Sequence, residues 1–151
     1  MPNTSYMKQW IIPIVAVILL GIAPSGLYAQ KQPAVFHIFE QYGNKKGVTL
    51  LEISEELMKD YRIHHFKSII FEDGSFALPD IRKAISQDKK EAKKIKESLH
   101  DGLLVSGYYR LKTNDERKNR YVIFKVGNKN KVTLIYIEGM ITPDQLVELL
   151  K

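Results

Sequence analysis

The sequence predicts an α+β domain, with an antiparallel sheet of about five strands and helices mainly on one face. Three observations carry that expectation. Three apolar, β-branched and aromatic-rich runs close the chain: Leu103–Leu111, Tyr121–Val126 and Val132–Ile137. Polar loops at Thr113–Arg120 and Gly127–Asn130 separate them, which reads as a three-stranded meander. Upstream, shorter strand-like runs alternate with stretches of helical periodicity.

The elements follow in order. Val35, Ile38, Phe39 and Tyr42 recur at helical spacing after Pro33, and Gly43 marks the stop. A turn, Gly43–Gly47, leads into a strand over Val48–Ile53. Its two lysines lack the Gly-Lys-Ser/Thr ending of a phosphate loop, so it reads as a plain turn. Ser54, Glu55 and Glu56 then start a short helix that runs to Tyr61. A second strand follows over Phe66–Phe71, ended by Asp73-Gly74.

Leu78, Ile81, Ile85, Ala92, Ile95 and Leu99 mark a stripe in steps of three and four, interrupted by Asp88. That spacing predicts one long helix to Leu99, closed by Gly102 and laid across the sheet. Its opposite side would carry Lys89, Lys90, Lys93, Lys94 and Lys96. Gly107 within the first meander strand points to a bulge or a close approach. Finally, Thr142, Pro143 and Gln145 have the spacing of a capping box, with Ile141 and Leu146 as its apolar staple. The predicted order is α-β-α-β-α-β-β-β-α.

The first 29 residues are expected to be a signal peptide, and 30–151 a single α+β domain. Lys8 precedes an apolar run from Trp10 to Ala23, then Pro24-Ser25-Gly26 and a small residue at Ala29. That is the order of a secretory leader, and Met7 is an alternative start. The run is shorter than the ~20 residues of a spanning helix and is interrupted by Pro13 and ended by Pro24, so cleavage is favoured over a retained anchor. The chain has no cysteine, which excludes disulfides and a thioether-linked lipid at the cleavage site. Setting aside Lys8, the one charge before residue 30, turns a net +6 into +5. Such a balance suits solubility and allows contact with an anionic surface. Export makes a nucleic-acid partner a poor expectation, and the membrane is expected to be met only through the leader.

Candidate chemistry is sparse. His37, His64, His65 and His100 show no helical His-x-x-x-His spacing, and the adjacent pair should face opposite ways. Ser106-Gly107 lacks the surroundings of a nucleophile elbow. The acidic pairs Glu55-Glu56, Glu72-Asp73 and Asp115-Glu116 fall in first turns or loops. No catalytic, cofactor or metal residue is therefore nominated, and no cofactor is expected. The candidate interaction surface is the lysine cluster Lys89, Lys90, Lys93, Lys94 and Lys96, together with Tyr108 and Tyr136. The tyrosines would form either an exposed aromatic patch on a free sheet face or sheet-stabilising cross-strand pairs.

The Tyr28-Ala29-Gln30 ending of the leader is one recognisable feature. Others are the aromatic first helix, Gly47-Val48-Thr49, Ile53-Ser54 before a short helix, and Val132–Gly139 before a leucine helix. This order resembles small exported families of unknown function in Bacteroidetes. The resemblance implies a periplasmic or cell-surface α+β domain and carries over no catalytic residues. The expected function is a non-catalytic interaction or accessory module of the cell envelope, meeting an envelope protein or an anionic surface. A small-ligand carrier with an apolar cavity, or an undetected hydrolase, is the alternative.

Overall fold

The computed structural model describes residues 31–151. The expected leader, 1–29, lies outside the described residues. Gln32–Lys151 forms one compact unit. Its elements are α1 (Phe36–Tyr42), β1 (Val48–Ile53), α2 (Glu55–Met58), β2 (Ile63–Phe71), α3 (Leu78–Asp88), β3 (Lys93–His100), β4 (Leu103–Leu111), β5 (Asn119–Val126), β6 (Val132–Gly139) and α4 (Pro143–Leu149). The strands form one open sheet in the order β1-β2-β6-β5-β4-β3, and every neighbouring pair is antiparallel.

The α+β class and the β4-β5-β6 meander agree with the sequence reading. The strand count differs: the described residues form six, against the expected five or so. The difference lies in the expected long helix. It ends at Asp88, a short 3-10 turn covers Lys89–Glu91, and Lys93–His100 is an edge strand paired to β4. Leu78, Ile81, Ala84 and Ile85 are the buried side of the true helix. Burying each large aliphatic chain contributes roughly 1.5–3 kcal/mol, and these residues suffice to dock α3. Ala92, Ile95 and Leu99 continued the three-and-four spacing by coincidence. Asp101 (φ 50°) and Gly102 (φ 73°) are both left-handed, as a two-residue hairpin turn of type I′ requires. Gly102 is thus a hairpin residue joining β3 to β4, not a helix stop.

The helices also lie on both faces. On the first face α1 and α3 bury Val35, Ile38, Phe39, Tyr42, Ile81 and Ile85 against Ile69, Phe71, Val122, Phe124, Leu134 and Tyr136. On the second face the segment leading into α4 and α4 itself bury Ile141 and Leu146 against Ile63, Tyr108, Tyr121 and Ile137, with Met58 of α2 at the margin. The capping box forms as its spacing predicts. Gln145 N–H donates to Thr142 Oγ1 at 3.3 Å, and Thr142 N–H donates to Gln145 Oε1 at 3.0 Å. No described helix is long and apolar enough to cross a membrane.

Candidate interaction surface

Strand register fixes which side chains share the second face. Because side chains alternate, each face carries rows that cross all six strands. The row nearest α4 reads Ile53, Phe66, Ile137, Tyr121, Arg110, Lys93. The middle row reads Leu51, Ser68, Ile135, Ile123, Tyr108, Lys96. The far row reads Thr49, Ile70, Thr133, Lys125, Ser106, Ser98.

The helix α4 is only seven residues long, and its one buried side chain, Leu146, joins Ile141 in a cluster with Ile137 and Tyr121 of the first row and Tyr108 of the middle row, against which Ile123 and Ile135 pack at the margin. The other two rows reach the surface in part. Leu51 is 48% exposed, Thr49 and Lys125 are exposed, and Ile70, Ile123, Thr133 and Ile135 are half-buried. This open half has an aliphatic centre of Leu51, Ile70, Ile123 and Ile135. Lys96 and Lys125 stand on its β3 and β5 side. None of the aliphatic residues was singled out by sequence. The run Val48-Thr49-Leu50-Leu51 shows no alternation, so nothing in it says which leucine faces which way.

The lysine cluster is divided by the sheet. Lys93 and Lys96 belong to the second-face rows, opposite Arg110 and Tyr108. Lys94 lies opposite Tyr109 on the first face. Lys89, in the 3-10 turn, approaches Glu97 at 3.2 Å, and Lys94 approaches the same carboxylate at 3.9 Å. Lys90 is exposed in that turn. No single helical face of lysines exists, because the segment that carries them is mostly a strand.

Neither candidate tyrosine is exposed. Tyr136 is 1% exposed and lies under α1, with the Phe36 and His65 rings edge-on to it at 4.7 and 5.6 Å. Its hydroxyl donates to Glu138 Oε2 at 2.7 Å and accepts from Arg120 Nε at 2.9 Å. Burial first, and Glu138 after it, hold this phenol protonated well above its ordinary range. Tyr108 is 9% exposed, beside the Tyr121 ring on the second face. Both are therefore buried on opposite faces of the sheet, Tyr136 opposite Val122 and Lys67 and Tyr108 opposite Ile123 and Lys96, so they form neither an exposed patch nor a pair with one another. Aromatic rings suit central strands, where both faces can be covered.

The histidines separate as adjacency predicts. His64 Nδ1 is 2.8 Å from Glu55, and His65 Nε2 is 3.3 Å from Glu52. Among the described residues no group of three or more His, Asp or Glu side chains could hold a metal ion. A shallow groove of about 270 Å³ lies between α1 and α3, lined by Ala34, His37, Asp80, Lys83, Ala84 and Gln87. Tyr42 donates to Asp80 at its edge, which occupies that carboxylate in holding α1 to α3.

Among the described residues an open six-stranded antiparallel sheet, four α-helices and a partly uncovered second face define a mixed α/β domain. The chain belongs to a family of unknown function (DUF6108), whose model matches residues 22–150. No curated protein matches the chain.

Proposed function

We propose that this chain is an exported, non-catalytic interaction module of the cell envelope. It docks a protein partner on the open half of the second sheet face. The observation that carries this reading is the partly exposed middle row, in which Leu51 stands at one end, Ile135 and Ile123 at the centre and the buried Ser68 between them, joined by Ile70 and flanked by Lys96 and Lys125. Contiguous apolar surface bordered by charge is a common contact device. The complementary partner is an apolar segment with carboxylates on one side. Support for export comes from the leader-like order of Lys8, the apolar run and Ala29.

The test places a photo-crosslinking residue at Thr133, in the open half, or at Lys83, in the groove between α1 and α3 that serves as the control, in cells expressing the full chain. A discrete adduct is expected at Thr133, absent at Lys83 and lost when Ile135→Asp is added. The cell-envelope form should begin near Gln30 by mass. An adduct unchanged by Ile135→Asp would overturn the docking face. A retained N-terminus, with the protein in the cytoplasm, would overturn export.

A further inference from the structure

We propose that two copies of this chain pair through the outer edge of β1, antiparallel and centred on Leu50, so that two sheets become one. The proposal goes beyond the docking reading and stands on a different observation, the contrast between the two sheet edges.

Strand edges present unpaired N–H and C=O groups, and proteins guard them with charge, bulges or cover. The β3 edge is guarded. It carries Lys93, Lys94 and Lys96, and its register with β4 shifts between Lys94 and Lys96 and again between Ser98 and Leu99. The β1 edge has neither a bulge nor a lysine. It reads Val-Thr-Leu-Leu-Glu-Ile and contains no lysine, arginine or proline. It pairs with β2 over all six residues without a shift. Its one charge, Glu52, is drawn over the first face toward His65 and Lys67. Leu50 and Leu51 are 39% and 48% exposed. Among the described residues no strand lies outside β1.

Hydrogen-bond direction then selects the register. Glu72 N–H donates to Gly47 C=O at 2.9 Å, one step beyond the Val48–Phe71 pair. Bonded pairs alternate in an antiparallel ladder, so Thr49, Leu51 and Ile53 point their backbone groups at β2. Val48, Leu50 and Glu52 point theirs outward. Val48 N–H is already taken by Lys45 C=O at 3.2 Å.

A two-fold axis through Leu50 uses what remains apart from Glu52 C=O, since the Val48 N–H opposite it is the one already taken. Leu50 N–H and C=O meet those of the partner's Leu50, and Glu52 N–H meets the C=O of the partner's Val48, each in both directions. The same axis sets the Leu50 side chains opposite one another and places Thr49 opposite the partner's Leu51. An axis normal to the sheet keeps both α4 faces on one side. The two open halves then adjoin across the seam as one longer apolar surface.

The test is sedimentation of the purified full chain with variants at Leu50. Wild type is expected as a dimer. Leu50→Lys and Leu50→Glu, each of which sets like charges directly opposite, should weaken association at least about tenfold. Mixing the two variants should restore a dimer containing one of each. Because the chain has no native cysteine, Leu50→Cys gives a clean second measurement. Bonded pairs lie about 5.5 Å apart at Cα, within disulfide range, so oxidation should cross-link it, whereas Glu52→Cys should not self-link. A monomeric wild type, or a dimer indifferent to Leu50→Lys, overturns the proposal. A monomer that still gives the Thr133 adduct would sink the pairing alone. A Leu50-dependent dimer whose Thr133 adduct ignores Ile135→Asp would sink the docking face alone.

Discussion

The carboxylate of Asp88, the last residue of α3, caps the start of the first helix: Ala34 N–H donates to its Oδ1 at 2.6 Å and Val35 N–H to its Oδ2 at 2.9 Å. The cap is supplied across 53 residues of chain, since Val35 itself offers no side-chain cap. An anion at a helix start meets unpaired N–H groups and the positive end of the dipole. Asp88→Ala is expected to cost about 1–3 kcal/mol of unfolding free energy, with Asp88→Asn costing less, measured by chemical denaturation. A cost within a few tenths of a kcal/mol would show that α1 is held by its apolar side alone.

On the same face, Tyr109 donates to Glu97 Oε2 at 2.5 Å. That bond lowers the Glu97 carboxyl below its ordinary range, and Lys89 and Lys94 add to the effect against desolvation. A lowered folded value gives stability that is fully present above the unfolded carboxylate range. It is lost as pH falls through the folded value. Tyr109→Phe should therefore cost about 1–2 kcal/mol at neutral pH, and the gap to wild type should close under acid. Thermal melts across that range check it. A gap that stays constant into acid would mean the lost stability has nothing to do with Glu97 ionisation.

The residues just named also show what the sequence could and could not say. Tyr109 alternates with Leu111 on a strand expected from residue types alone, because β-branched and aromatic runs report half-buried sheet directly. Glu97 was expected on a helix. A lysine-rich edge strand has weak intrinsic preference, and only pairing with β4 makes it a strand. One local signal was present: Asp101-Gly102 between Leu99 and Leu103 is the dipeptide of a tight hairpin. Thr142 to Gln145 was legible because a capping box is wholly local. The extent of the open face was not, since it depends on how far α4 reaches, which no spacing in the sequence records.

Gly107 is a close approach rather than a bulge. A Cβ there would meet the Tyr109 ring and hydroxyl at 2.4 to 2.7 Å, because that ring lies over Gly107 on its way to Glu97. Gly107→Ala must displace a buried ring and so should cost about 1–3 kcal/mol. The displaced hydroxyl would also leave Glu97. Combined with Tyr109→Phe, which has already lost that bond, the two costs should therefore fall short of additive by about 1 kcal/mol, as a double-mutant cycle reads it. Simple additivity would mean the ring shifts without giving up the carboxylate.

Two tyrosines beside one another on the second face should respond oppositely to losing a hydroxyl. Tyr121 donates to Ile141 C=O at 2.9 Å, a bond that ties β5 to the segment leading into α4. The Tyr108 hydroxyl is buried and, among the described residues, has no hydrogen-bond partner. Desolvation, then the neighbouring Tyr121, drives its ionisation far above the ordinary range. An unpartnered buried hydroxyl costs about 1–3 kcal/mol, whereas a satisfied one contributes about 1 kcal/mol net. Tyr108→Phe should thus leave stability unchanged or raise it, and Tyr121→Phe should lower it by about 1 kcal/mol. Both keep the ring pair at 6.0 Å, so packing does not confuse the comparison. Destabilisation by Tyr108→Phe equal to that of Tyr121→Phe, in parallel denaturation curves, would mean a bound water completes the Tyr108 hydroxyl.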